Sequence, residues 1–244
     1  MNMEHLVFVA AIILAAAFVR SALGFGDAVV AMPLLAMVVG LKTATPLVAF
    51  MGPTISLLIL AKGWRAGDMR AAAKLIIASC LGIPLGVYGL ARLPEEPLKI
   101  GLGALILLYG LFGLARPAVR IKNEKAWVPW MVGWTAGVLG GAYNTNGPPV
   151  VAYGMLRGWP PDRFRATLQG YFLPTGLMIL AGHGFAGMWT GEVIRFYLLS
   201  LPAIVVGVIL GGLVNRKLTH GFFAKLVYIF LAAMGAVLLI HILL

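Results

Sequence analysis

The chain has 244 residues, of which 61% are hydrophobic and 11% charged, with a mean hydropathy of +0.97; an ordinary soluble domain is about a quarter charged. Such a composition excludes a water-soluble globule and makes lipid the solvent. The formal net charge of +11 does not mark a nucleic-acid surface, because the basic residues sit in short segments beside apolar runs instead of forming one continuous patch.

In chain order, apolar runs between charge or Pro/Gly breaks cover 6–41, 44–61, 75–91, 100–115, 127–156, 164–181, 194–214 and 222–244. A helix rises about 1.5 Å per residue and needs about 20 residues to cross the hydrocarbon, so the pattern predicts about eight crossings and no extramembrane domain. The first run lacks a basic region before it and a small-residue cleavage site after it, and is expected to be retained. Cys80 is the only cysteine, so an intramolecular disulfide is impossible and a packing role is expected.

Two runs are too long for one crossing, and each is interrupted near its centre. The first, 6–41, is broken at Gly24-Phe25-Gly26-Asp27; the second, 127–156, is broken between Gly140 and Pro149, through Asn144-Thr145-Asn146-Gly147-Pro148-Pro149.

Four loops hold 14 of the 19 basic residues: Lys62, Arg65, Arg70 and Lys74; Arg116, Arg120, Lys122 and Lys125; Arg157, Arg163 and Arg165; Arg216, Lys217 and Lys225. Lys and Arg concentrate on the cytoplasmic side of short loops. If all four loops are cytoplasmic, single spans pair through outside loops near 92–99 and 183–192. The stretch between Lys125 and Arg157 must then begin and end on one face. It is expected to enter and return, as a re-entrant hairpin or two short spans, and 6–41 is expected to do the same from outside.

Each half then contains one hairpin and three full spans. An odd number inverts the second half and puts both termini outside. Weak internal similarity at offsets of about 116–122 supports this: Leu23-Gly24 with Leu139-Gly140, Pro33 with Pro149, Ala44-Thr45 with Ala166-Thr167, Pro53-Thr54 with Pro174-Thr175, Gly63 with Gly184. The predicted fold is all-α: a polytopic membrane protein forming a single transport domain over 1–244, from two inverted repeats at about 1–120 and 121–244. Paired interrupted segments are where carriers of this design hold substrate, near the midplane. Irregular backbone survives at that depth only inside protein or against a water-filled cavity.

The polar residues at the breaks are the candidate site. Arg20 and Asp27 each cost about +2.5 to +3.5 kcal/mol at membrane depth, so neither is expected to face lipid. Arg20 would present a fixed positive charge to an anion while Asp27 tunes it or carries a proton; a structural ion pair, or an Arg snorkelling from a shallower depth, is the alternative. Asn144, Thr145 and Asn146 supply hydrogen-bonding groups beside Gly147 and two prolines that start a new helix, whose amino terminus favours an anion; otherwise they satisfy the open backbone of a kink. Gly26 would let the backbone approach the substrate.

Thr45, Thr54, Ser56, Thr167, Gln169 and Thr175 add polar groups within spans, and of these Thr54, Gln169 and Thr175 join the expected substrate-binding set. Single Ser and Thr residues commonly bond back to their own helix. Tyr143 and Tyr153 flank the Asn run and are expected to pack. His5, His183, His220 and His241 lie at loop or terminal positions without paired spacing, so neither a metal nor a cofactor is expected. Gly207 and Gly211 read as a close helix contact, and Trp127, Trp130 and Trp134 as interface anchors.

At both breaks the chain resembles the sulfite exporter TauE/SafE family: Gly24-Phe25-Gly26-Asp27 leading to Met32-Pro33, and Gly137-Val138-Leu139-Gly140-Gly141 through Gly147-Pro148-Pro149. Gly158-Trp159 and Arg163-Phe164-Arg165-Ala166-Thr167 are similar to the linker of that family's second repeat. The likeness covers nearly the whole chain. It implies a secondary transporter in a bacterial inner membrane that exports sulfite, an organosulfonate or a related sulfur oxyanion, by exchange or with protons as the coupled ion. Asp27 stands where that family usually carries another glycine, and its second break is usually richer in glycine. A passive anion channel would use the same residues, and an intramembrane enzyme would need a nucleophile and base that the sequence lacks. A homo-oligomer is compatible with the reading.

Overall fold

The structure is a computed structural model that describes residues 3–61, 69–115, 125–215 and 220–243. These form ten α-helices: α1 (Met3–Leu23), α2 (Asp27–Val38), α3 (Leu41–Leu60), α4 (Met69–Arg92), α5 (Glu95–Ala115), α6 (Val128–Tyr143), α7 (Gly147–Leu156), α8 (Pro161–Phe185), α9 (Gly191–Asn215) and α10 (His220–Leu243). Eight apolar runs become ten helices because both long runs break where expected, into α1/α2 and α6/α7. The loop residues Lys62, Arg65, Arg116, Arg120, Lys122, Arg216 and Lys217, with Gly63, lie outside the described residues.

Five helical stretches are long and apolar enough to cross a membrane: His5–Leu23, Leu41–Leu60, Ala72–Arg92, Glu95–Ala115 and Gly191–Asn215. The surface is apolar, with Phe8, Leu81, Leu108, Leu213 and Ile240 exposed, whereas Arg20, Asp27, Asn144, Asn146 and Gln169 are buried. That is the reverse of a soluble protein, in which charged residues line the outside. It is the arrangement that lipid demands of costly polar groups.

A broken pair followed by three long helices occurs twice. α1 ends at Leu23 and α6 at Tyr143, α2 starts at Asp27 and α7 at Gly147, and α3 starts at Leu41 and α8 at Pro161, in each case 120 residues apart. At the breaks this offset replaces the 116 read from Leu23-Gly24 and Leu139-Gly140. It matches Gly24 with Asn144 and Asp27 with Gly147. The sequence comparison aligned identical residues, whereas the breaks are equivalent by helix ends.

Packing partners exchange between the halves. α1 packs on α9, and its counterpart α6 packs on α4; α3 meets α8, and α5 meets α10. The α1–α9 contact runs over Gly207 and Gly211, where a Cβ would meet the backbone of Leu14, Phe18 and Ala22, and Ser21 Oγ donates to Val208 O at 2.7 Å. Close approach through small residues is how membrane helices associate when lipid is as apolar as Leu. The α4–α6 contact is tighter still: Gly82 and Gly86 lie against the backbone of α6, and Gly133, Gly137 and Gly141 against that of α4.

One expected loop is shorter than its bounds, with residues 186–190 outside the helices. α8 continues past residue 181 to Phe185, so His183 is not in a loop but wholly buried, with its Nε2 at 2.8 Å from Gly141 O. Gly182 and Gly184, read as a break, instead give room to Val87 of α4 and to the Trp189 ring.

Gly86→Val drives a Cβ into Val138 O of α6 and is expected to destabilise the fold by at least the upper end of the roughly 1–3 kcal/mol that overpacking costs. Gly191→Ala, with nothing within 4 Å, should change stability by less than about 0.5 kcal/mol. Thermal unfolding in detergent checks both, and a Gly86→Val protein as stable as the wild type would contradict the packing.

Candidate functional site

Each break is made by residues in left-handed backbone. In the first, Gly24 has φ 89° and Gly26 φ 102°; in the second, Asn144 has φ 54° and is the only described non-glycine residue with positive φ. Glycine adopts this region without a Cβ penalty, and Asn tolerates it better than most residues. Asn144 closes α6 through its N–H to Gly140 O at 2.7 Å, and Pro148 and Pro149 then start α7 with no N–H to lose.

The carbonyls opened at the end of α1 find partners in the other half. Arg165 Nη2 donates to Ala22 O at 3.0 Å, Asn215 Nδ2 donates to the same oxygen at 2.5 Å, and Gln169 Nε2 donates to Gly24 O at 2.9 Å. The first break is thus held by α8 and α9.

Arg20, on the last turn of α1, is 4% exposed, and Asp27, the first residue of α2, is 6% exposed. Arg20 Nη1 reaches Asp27 Oδ2 at 2.5 Å, and Nη2 donates to Ser56 Oγ of α3 at 2.6 Å. The guanidinium carbon sits 4.9 Å from the centroid of the Phe172 ring of α8, a cation–π distance. Asp27 places its carboxylate at the positive end of the α2 dipole. Asn146 Nδ2 donates to Thr175 Oγ1 at 3.0 Å, and Thr175 in turn donates to Tyr171 O at 2.7 Å.

These groups wall a cavity of about 20 Å³. Arg20, Gly26 and Asp27 border it from the first break, Asn144, Thr145, Asn146 and Gly147 from the second, with Gly52, Phe172 and Gly176 closing the sides. The starts of α2 and α7 both border it; the first turn of α2 carries N–H groups without intrahelical partners, whereas at α7 Pro148 and Pro149 have no N–H and Gly147 is the donor. Arg20 Nε and Thr145 Oγ1 are buried and unpartnered among the described residues. One cation, its carboxylate partner, the starts of two helices and the side chains of Asn144, Thr145 and Asn146 thus border one small void.

The profile of the family described as "Sulfite exporter TauE/SafE" matches residues 9–238, both breaks included. The chain belongs to the TauE/SafE family. It is also similar to the "Probable sulfite/organosulfonate exporter TauE" of Cupriavidus necator, at 25% identity over 147 residues, covering 59% of this chain and 57% of that relative. The aligned part therefore spans little more than half of the relative's length.

Seven of the residues expected to form the site of this TauE/SafE protein meet at the cavity: Arg20, Gly26, Asp27, Asn144, Thr145, Asn146 and Gly147. Thr175 stands behind it, bonded to Asn146. Gln169 lies beside the first break, where its amide donates to a backbone carbonyl and its Oε1 has no partner among the described residues. Thr54 faces elsewhere: its hydroxyl donates to Phe50 O at 2.9 Å and lies 2.8 Å from Tyr197 OH. On a helix, residues two apart point about 200° away from each other, so Ser56 and Gly52, one turn apart, face Arg20 and Thr54 cannot. That periodicity was the available signal for Ser56. Phe172 had none, since its role depends on a partner in the other half. Tyr153 packs against Trp159, with ring centroids 5.6 Å apart.

Arg20→Gln leaves the Asp27 carboxylate buried without its cation and is expected to cost about 3–5 kcal/mol of stability. Arg20→Gln combined with Asp27→Asn removes both charges and should restore most of that loss. Thermal unfolding of the two variants tests the pair, and equal stability of single and double variants would contradict it.

Proposed function

We propose that this chain is a secondary carrier of a small sulfur oxyanion, sulfite or an organosulfonate, in a bacterial inner membrane, working outward by alternating access around the Arg20 cavity. The observation that carries the reading is a positive charge buried at the meeting point of two interrupted membrane segments. Membership of the TauE/SafE family and the printed name of the Cupriavidus necator relative support the substrate class. Arg20 holds the anion electrostatically, while the start of α2 and the Gly147 N–H, with Asn144, Thr145 and Asn146, supply hydrogen bonds to its oxygens; Gly26 and Gly147 let the backbone approach.

The two halves act as inverted repeats that rock about this site. The matched helix order and the exchange of packing partners between halves support that reading, as does the odd number of segments in each half. A cavity with room for about one water, set where the two halves meet, supports a carrier over a passive anion channel. The form described is closed around the site, and substrate enters only when the halves part. Both chain termini face outward in this topology.

The double variant Arg20→Gln/Asp27→Asn tests the reading without leaving a lone buried charge. It is expected to elute and unfold like the wild type while losing stabilisation by sulfite or short sulfonates, since a ligand that binds only the folded state raises apparent stability. Flux into proteoliposomes should fall at least about a hundredfold, the loss of roughly 2.7 kcal/mol in a charge-assisted contact. Wild-type flux in that variant would reject Arg20 as the anion holder.

A further inference from the structure

We propose that Asp27 occupies the substrate's own seat on Arg20, so that an anion loads only when Asp27 takes up a proton, one for one. This rests on the carrier reading and names the ion coupled to it.

Both terminal nitrogens of the Arg20 guanidinium are already engaged, Nη1 by the Asp27 carboxylate at 2.5 Å and Nη2 by Ser56 Oγ at 2.6 Å. The cavity beside them, about 20 Å³, has room for one water and not for an oxyanion of four or more heavy atoms. Arg20 Nε has no partner among the described residues, but the volume an oxyanion needs beside Nη1 is the volume that the Asp27 carboxylate fills, so an anion reaches this face of the guanidinium by taking the carboxylate's place. It also takes over the start of α2, where Asp27 now supplies the negative charge that a helix amino terminus favours.

Two negative groups cannot share one guanidinium in a site this dry without strong repulsion, and like charges at close range drive one of them to bind a proton. Asp27 is the group that can. From α1 it meets Arg20; α3 contributes Gly52 and Ser56; the α6–α7 break contributes Asn144, Thr145 and Asn146; α8 contributes Phe172 and Gly176. The described titratable side chains of α10 are Lys225, which is exposed, and Tyr228, which lies edge-on to Tyr109 of α5. Glu95 of α5 is at the far end of α2, against Gly40, where it accepts the Leu41 N–H. Among the described residues, Arg20 and Asp27 are the charged ones lining the cavity.

The charges balance on this scheme. The empty site holds Arg20 positive and Asp27 negative, summing to zero. The loaded site holds Arg20 positive, a monoanion and a neutral Asp27, again summing to zero. Loading without the proton would leave a net negative charge at membrane depth, which is costly. Both forms can therefore reorient as neutral units, and transport is electroneutral, with one proton accompanying each monoanion and the two gradients together setting direction.

The probe is methanesulfonate, whose charge does not change over the pH range used, with the full chain purified in detergent. Binding is measured by equilibrium dialysis and proton uptake by a pH dye in weak buffer. The expected result is about one proton taken up per anion bound at alkaline pH, and an affinity that falls about tenfold per pH unit there. Asp27→Asn should bind with the wild type's acid-side affinity at every pH, take up no proton, and in proteoliposomes keep anion exchange while losing acid-driven net flux. Wild-type binding without proton uptake, or an Asp27→Asn protein that keeps the wild-type pH slope, overturns the coupling and leaves the carrier intact. Absence of binding by methanesulfonate and sulfite at every pH overturns the carrier reading and the coupling together. If Asp27→Asn does not fold, the wild-type proton count decides.

Discussion

Hydrocarbon offers no hydrogen bonds, so each backbone N–H and C=O that leaves a helix within the membrane must find a partner in protein. The architecture of this chain follows from two places where that happens. At the first break the carbonyls of Ala22 and Gly24 are taken by Arg165, Asn215 and Gln169, all from the second half of the sequence. At the second, the left-handed Asn144 closes α6, and two prolines open α7 without N–H groups to strand. The first broken helix is tolerated because the opposite half completes it.

The same constraint concentrates charge. Arg20 and Asp27 are affordable at depth only as a pair with further partners, which Ser56 and Phe172 provide. A buried pair of this kind contributes little net stability compared with apolar residues of the same size, so stability alone does not account for it. On the carrier proposal, its value lies in holding a strong positive charge where the two halves meet. Around it, glycine-lined contacts between α1 and α9, α4 and α6, and α5 and α10 form stiff walls, leaving the small cavity as the place where the two halves meet on polar groups.

Much of this was legible in the sequence because the breaks announce themselves. Gly24 to Asp27 and Asn144 to Pro149 interrupt apolar runs too long for one crossing, and the structure divides the helices there. Arg20 and Asp27, seven residues apart, read as partners because no other charges lie near them in the run. What could not be read was the identity of distant partners. Phe172 looks like any core aromatic until Arg20 is placed under it, and Gln169 looks like a substrate ligand until the Gly24 carbonyl is placed beside it. His183 was mistaken for a loop residue because flanking glycines look alike whether they end a helix or let another one approach. Thr54 and Ser56 were separable by helical phase alone, and weighing polar residues singly missed it.

The proposed carrier requires an anion to sit against Arg20 where the two breaks converge. A cryo-electron microscopy map of the protein in nanodiscs with selenite, the heavier analogue of sulfite, tests it most directly. An anion held as proposed gives strong density between the Arg20 guanidinium and the starts of α2 and α7, with the Asp27 carboxylate turned away. Density confined to the loop arginines, with the Arg20–Asp27 pair unbroken, would contradict it.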